Sequence, residues 1–268
     1  MGHSYAVTDI QTNTILDAIA PKDPRPQASL TKLDALRLIF DDIKHGRITK
    51  NTYIPIPTIV KDFKDVANLN MNGVGFRYAL PPETAQTYSV DDLLKAAGGF
   101  SDGYAITALV QLCMHDCDNP QKAFINRMND ARTALQISST THYKNATGLP
   151  DDGHYSTAYD TTLILKSLLD NHFGLSNKYL GQPQYSLSGI SRSFNNTCDL
   201  LTSMPNLLFA KTGFTNDAGH CLAGVVQSSN GPIAIAVMNA QDKKEREALF
   251  YSLATQHSQR PRLSARVH

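Results

Sequence analysis

The chain has 268 residues, 41% of them hydrophobic, enough to bury one large domain or two small lobes. Its 25 Lys and Arg residues face 24 Asp and Glu for a net charge of +1, so no long-range field draws it to nucleic acid or an anionic membrane. No run of about 18 apolar residues is present to insert in a bilayer, and the amino end lacks the basic-then-apolar layout of an export leader, so the compartment is not legible there.

From the amino end, Tyr5 to Ile19 alternate loosely and predict two strands joined by a turn at Gln11 to Thr14. Pro21, Pro24 and Pro26 hold an extended loop. After Ser29 the period becomes 3.6, with Leu33, Leu36, Ile39, Phe40 and Ile43 on one face and Gly46 at the stop. Thr49 to Pro81 reads as loop-rich and poor in strands. Ser89, with Asp92 three residues on, predicts a capped helix through Leu94 and Ala97. Further helices are expected over Ala105 to Cys113, Gln121 to Leu135 and Thr157 to Leu169, the last opened by Ser156 or Thr157 with Asp160 in its first turn.

Beyond Tyr185 the pattern turns to strands: Leu207 to Thr212, Cys221 to Gln227 and Ile233 to Asn239, the last two joined as a hairpin at Asn230-Gly231. Glu245 to Thr255 returns to helix. Strands at both ends with helices between them predict an α+β fold, an antiparallel sheet completed by the two termini with a helical lobe from about 50–200 set against it. Residues 1–256 then form one catalytic unit, and 257–268, with Arg260, Arg262 and Arg266, a disordered basic tail that does not insert in a membrane.

Cys113 and Cys117, four apart on a predicted helix, share a face without disulfide geometry and read as free thiols. Cys113, His115 and Cys117 diverge and have no fourth ligand nearby, so no metal is expected.

The chemistry lies elsewhere. In Ser29-Leu30-Thr31-Lys32 a hydroxyl and an amine three residues apart share a helical face where the apolar period begins. A serine is a poor nucleophile until a base takes its proton, and a lysine in a dry pocket is neutral enough to do so. Lys211-Thr212-Gly213 ends an apolar strand. There Lys211 can hold a carboxylate and lower the Lys32 pKa by like charge, Thr212 can donate a hydrogen bond, and Gly213 admits a substrate backbone. Taken singly, Ser29 reads as a helix cap and Lys211 as an exposed strand end. Together, in this order and separation, they are the pattern of serine acyl-transferring, penicillin-recognising enzymes.

Across nearly its whole length the chain resembles the low-molecular-mass penicillin-binding proteins, the D-alanyl-D-alanine carboxypeptidase and endopeptidase family. The likeness is carried by 28–33 (Ala-Ser-Leu-Thr-Lys-Leu), 145–150 (Asn-Ala-Thr-Gly-Leu-Pro), 153–158 (Gly-His-Tyr-Ser-Thr-Ala) with Asp160, 211–216 (Lys-Thr-Gly-Phe-Thr-Asn) and 218–222 (Ala-Gly-His-Cys-Leu), the last two nearest the endopeptidase branch. The resemblance implies a β-lactamase/transpeptidase-like fold with its site between sheet and helical lobe. It implies Ser29 as acyl-forming nucleophile, Lys32 as its base, Ser101 as proton relay, Lys211 and Thr212 as carboxylate grip beside Gly213, and the N–H groups of Ser29 and Phe214 as oxyanion hole. No cofactor is implied; the substrates are peptidoglycan stem peptides, the inhibitors β-lactams and the compartment periplasmic.

The chain departs from the family at Ser101-Asp102-Gly103, where the pattern is Ser-x-Asn: Gly103 removes an amide, and Asp102 reads as a solvated loop carboxylate. Tyr159 stands where arginine is usual, and the carboxy-terminal β-domain and anchor of the larger carboxypeptidases are not expected. The resulting expectation is a D,D-peptidase, endopeptidase rather than carboxypeptidase. A catalytically weakened wall-binding protein is the alternative, and a β-lactamase is disfavoured because the stretch from Asn145 to Asp160 follows the peptidase signature.

Overall fold

The last strands of the chain are apolar on both faces, the pattern of a sheet covered on each side. In the computed structural model, which describes residues 2–55 and 87–258, they form the centre of a five-stranded antiparallel sheet. Its strands are β1 (Ser4–Asp9), β2 (Ile15–Ile19), β7 (Leu207–Thr215), β8 (Gly219–Ser228) and β9 (Gly231–Ala240), in the order β2-β1-β9-β8-β7. The amino-terminal strand pairs with the carboxy-terminal hairpin, Ala6 opposite Ala236, so the termini complete the sheet as the sequence predicts.

Alternation along β9 sorts the two cores. Ile233, Ile235 and Val237 join Tyr5, Val7 and Leu222 under Phe250 and Leu253 of the last helix, α7 (Lys243–Ser258). Ala234, Ala236 and Met238 face the other way, with Ala6 and Ala223, into the larger core shared with the helical lobe. Side chains this small let the long helix α5 (Ala158–Leu180) lie against the sheet. Helix α1 (Thr31–Lys44) packs on α5 and on α2 (Val90–Gly99), α3 (Gly103–Cys113) and α4 (Pro120–Ala131).

Local signals are realised where they have a mechanism. Ser89 caps α2 by accepting the Asp92 N–H, and Thr157 caps α5 by accepting that of Asp160. Gly46, at φ 71°, follows α1 in the left-handed region.

Four features differ from the reading of the sequence. Helix α5 does not stop at Leu169: it breaks its dihedrals at His172 (φ −141°) and continues, because Tyr179 and Leu180 are core residues beyond the break. Within the stretch read as loop-rich and poor in strands, one short strand forms, β3 (Tyr53–Pro55), paired with β4 (Thr87–Ser89), while 56–81 lies outside the described residues. A small hairpin, β5 (Gln184–Ser186) with β6 (Ser193–Asn195), and the one-turn α6 (Leu200–Ser203) precede β7. Helix α7 runs to Ser258 with His257 3% exposed, so the expected tail does not begin at 257; residues 259–268 lie outside the described residues.

Because Phe250 is fully buried between α7 and the sheet, Phe250→Ala should lower unfolding stability by about 3–5 kcal/mol. Urea denaturation of both proteins measures this, and a loss under about 1 kcal/mol contradicts the packing.

Candidate active site

Ser29 sits on a strained turn. Ala28, a residue with a Cβ, adopts φ 47° and opens a 3-10 turn (Ala28–Leu30) that runs directly into α1. Ser29 therefore lies in this turn, just ahead of the α-helix proper. Lys32 follows one turn later, 2% exposed, and donates from Nζ to Ser29 Oγ at 3.0 Å and to the Thr147 carbonyl at 2.6 Å. Burial pulls the Lys32 amine down to about 7, against an opposing pull from the Asp102 carboxylate. The Lys211 cation is not among the causes of that shift.

Two peptides hold the turn. In the first, the Asn145 carboxamide oxygen accepts N–H bonds from Thr147, Gly148 and Leu149 at 3.2, 2.7 and 3.2 Å, folding a tight loop that turns the Thr147 carbonyl to Lys32. Gly148 stands at φ 87°, and a Cβ there would come within 1.9 Å of the Ala28 carbonyl oxygen. In the second, the Lys144 N–H donates to His154 Nδ1 at 3.0 Å, which leaves the proton on Nε2. That nitrogen donates to Thr31 Oγ1 at 2.8 Å, and Thr31 donates to the Ala28 carbonyl at 2.8 Å. Burial pushes His154 down to about 4, so the ring is neutral at pH 7 and keeps this tautomer.

Strand β7 forms the facing wall. A Cβ on Gly213 would lie 3.0 Å from the Ser29 nitrogen, so a side chain here would crowd the Gln27–Ser29 turn. Lys211 is fully buried, not at an exposed strand end, and donates to the Thr212 carbonyl at 3.2 Å. The Thr212 hydroxyl donates to Thr197 Oγ1 at 2.7 Å. Phe214 is 41% exposed and its ring lies over His220, centroids 4.3 Å apart.

The middle motif is placed differently from its reading. Asp102 is a fully buried cap, accepting the Ala105 N–H at 2.9 Å at the start of α3, and so is not a solvated loop carboxylate. Ser101, at φ 65°, lines the cleft, and its buried hydroxyl has no hydrogen-bond partner among the described residues. Gly103 is the first residue of α3 and is buried.

A cavity of about 360 Å³ is walled by Ser29, Lys32, Ser101, Thr212, Gly213 and Phe214, so the structure brings these sequence-picked residues together. Lys211, Asp102 and Gly103 are buried and do not line it. Thr147, Thr197, His220, Lys243 and Arg246 also line it and had been assigned no role from sequence. Arg246 is 4% exposed, donates to Glu247 at 2.8 Å and leaves Nε unpaired. It lies within the polar run 243–246 (Lys-Lys-Glu-Arg), which carries no spacing to mark it. Among the described residues no cluster of three or more His, Cys, Asp or Glu side chains suits a metal, and all four cysteines are free.

Asp102 opposes the fall in the Lys32 pKa, so Asp102→Asn, which keeps a capping oxygen, should move the Lys32 titration to lower pH. The rate of Ser29 modification should rise through about pH 7 in the parent and at lower pH in the variant. A shift to higher pH would refute the stated electrostatics.

Residues 1–242 match the family described as D-alanyl-D-alanine carboxypeptidase. The chain is 28% identical over 224 residues to a D-alanyl-D-alanine carboxypeptidase of Bacillus subtilis, covering 82% of this chain and 53% of that one. It is 30% identical over 244 residues to a D-alanyl-D-alanine endopeptidase of Escherichia coli, covering 90% and 72%. The chain thus spans about half the length of the first relative and nearly three quarters of the second. Its fold superposes on penicillin-binding protein D2 of Listeria monocytogenes, solved with cefotaxime bound, at a TM-score of 0.80 and 24% identity, covering 94% and 95%.

Proposed function

Since the chain belongs to the D-alanyl-D-alanine carboxypeptidase family, we propose that it is a serine D,D-peptidase acting on the stem peptides of peptidoglycan and acylated by β-lactams. The observation that carries this reading is the buried Lys32 amine, held near pKa 7 at 3.0 Å from Ser29 Oγ. At neutral pH about half the amines are free to accept the serine proton, the balance that suits a general base.

The reaction follows from the positions. Lys32 takes the Ser29 proton as Oγ attacks the D-alanyl carbonyl, and the N–H groups of Ser29 and Phe214 receive the oxyanion. The unpaired Ser101 hydroxyl passes the proton from Lys32 to the departing amine, and the C–N bond breaks to leave an ester on Ser29. Water, deprotonated by the same lysine, then hydrolyses the ester. Thr212 and Arg246 line the cavity and, with the Lys211 cation buried in β7, supply the hydrogen-bond donor and positive charge for the carboxylate of the leaving residue. The unit that does this is sheet and helical lobe together, through the end of α7 at Ser258.

Endopeptidic cleavage is the favoured form, supported by the likeness to an endopeptidase over 90% of this chain. Against a β-lactamase, no carboxylate lines the catalytic cavity among the described residues, which leaves no side chain there dedicated to fast deacylation. Against a binding protein without turnover, Ser29, Lys32 and Ser101 are assembled around one cavity. The substrate lies outside the cytoplasmic membrane, and the reading locates the protein there, in the periplasm; no helix among the described residues is long and apolar enough to cross a membrane.

Benzylpenicillin should add its mass to one site, mapped to Ser29 by peptide sequencing, with Ser29→Ala and Lys32→Met unlabelled. Label on any other serine removes the assignment. Incubation with cross-linked and uncross-linked muropeptides should convert dimers to monomers; loss of terminal D-alanine alone identifies a carboxypeptidase.

Lys211→Ala or Arg246→Gln should raise KM for a peptide with a free carboxylate by about tenfold or more and leave its amidated analogue nearly unchanged. Equal losses on both peptides would contradict a carboxylate grip.

A further inference from the structure

Ser101 is placed without help from a bond to its side chain. Its hydroxyl is buried and has no hydrogen-bond partner among the described residues. Where that hydroxyl stands therefore depends on the backbone of its own turn, which lies in the left-handed region at φ 65°, a conformation that helix ends ordinarily give to glycine. A residue with a Cβ keeps such a conformation only where its surroundings hold it there.

The chain on both sides of Ser101 is held. After it, the Asp102 N–H donates to the Ala96 carbonyl at 3.0 Å while the Asp102 carboxylate caps α3. Before it, the grip comes from the small hairpin of β5 and β6. Each of these strands has three residues, and only the middle one is buried: Tyr185 in β5 and Phe194 in β6, directly opposite each other in the register. Opposed residues project from the same face of a two-stranded ribbon, so the hairpin turns a pair of rings inward. The pair rests on consecutive residues. Tyr185 covers Gly99 so closely that a Cβ there would lie 2.1 Å from the ring's Cε2, and Phe194 stacks on Phe100 with centroids 4.7 Å apart and planes 19° from parallel. Two residues past the hairpin, the Thr197 N–H donates to the Gly99 carbonyl at 3.0 Å. Neither ring lines the catalytic cavity.

We propose that Phe194 and Tyr185 are positioning residues for proton delivery: the ring pair fixes Gly99 and Phe100, and so keeps the strained Ser101 turn, with its hydroxyl, at the cavity wall. The assignment rests on the peptidase reading with Ser101 as relay. In that reaction the scissile C–N bond breaks as its nitrogen takes the Ser101 proton, which is replaced from Lys32. An amine leaves poorly without that proton, whereas the thiolate of a thioester departs unprotonated. Loosening the hairpin's grip therefore harms amide cleavage selectively and spares attack by Ser29, whose own proton goes to Lys32.

The test compares kcat/KM for two substrates, the muropeptide amide that the parent protein cleaves and a D-alanyl thioester ending in the same carboxylate. Phe194→Ala should lower the value for the amide about tenfold or more and change that for the thioester by less than about twofold. Ser101→Ala should show the same selectivity with a larger loss on the amide, about a hundredfold. The double variant should lose no more than Ser101→Ala alone, because both changes act through one hydroxyl. Phe194→Tyr, which keeps the stacked ring, should restore amide cleavage. Thermal unfolding reports that each variant is folded, and Phe194→Leu, apolar bulk without a ring, takes the place of Phe194→Ala if the latter does not fold. Equal losses on amide and thioester, or additive losses in the double variant, overturn the positioning role. Absence of selectivity in Ser101→Ala overturns the relay and the proposal with it. Failure of benzylpenicillin to acylate wild-type Ser29 instead overturns the peptidase reading beneath both.

Discussion

A lysine ammonium taken out of water loses hydration that hydrogen bonds only partly return, and the site is organised around that loss at Lys32. Its fall from the ordinary lysine range to about 7 corresponds to roughly 5 kcal/mol of preference for the neutral amine, at about 1.4 kcal/mol per tenfold. The amine has two acceptors, Ser29 Oγ and the Thr147 carbonyl, and neither carries a full charge. An ionised carboxylate in the place of that carbonyl would hold the ammonium charged and unable to take a proton. The Asp102 carboxylate exerts a smaller pull of this kind, opposing the larger effect of burial.

Keeping water away requires backbones to approach more closely than side chains permit. Gly148 and Gly213 press on the Ala28–Ser29 peptide from two sides, and at either position a Cβ would meet backbone or Ala28 Cβ at 3.1 Å or less. The turn so gripped includes Ala28 in the left-handed region, a conformation that costs about 1–3 kcal/mol. The chain from Lys144 through His154 and Thr31 to the Ala28 carbonyl is one of the contacts that offset this. Stability of the lobe interface and the placement of Ser29 beside Lys32 therefore depend on the same set of contacts.

This division explains what could be read from sequence. Sheet strands, capped helices and the spacing of Ser29 to Lys32 depend on local period and local caps, and Ser89, Thr157 and Gly46 act as their residue types predict. Long-range consequences were not legible. The continuation of α5 past His172 depends on where Tyr179 and Leu180 find their core. The burial of Lys211 and the inclusion of Thr197, His220 and Arg246 in the cleft depend on which elements close over them. Gly213 was read as room for a substrate, whereas the nearest atoms to its missing Cβ belong to the Gln27–Ser29 turn. A glycine signals close approach without saying to what.

Ser101-Asp102-Gly103 shows how the same residues serve fold and site. A helix start supplies unpaired N–H groups, and Asp102 caps one of them from a buried position. The carboxylate is thereby fixed where its field reaches Lys32, with no contact to substrate required. The preceding residue must then turn sharply, and Ser101 does so at φ 65° beside the cleft, its buried hydroxyl without a partner among the described residues. With glycine at 103, the motif offers the cleft no side chain beyond that of Ser101.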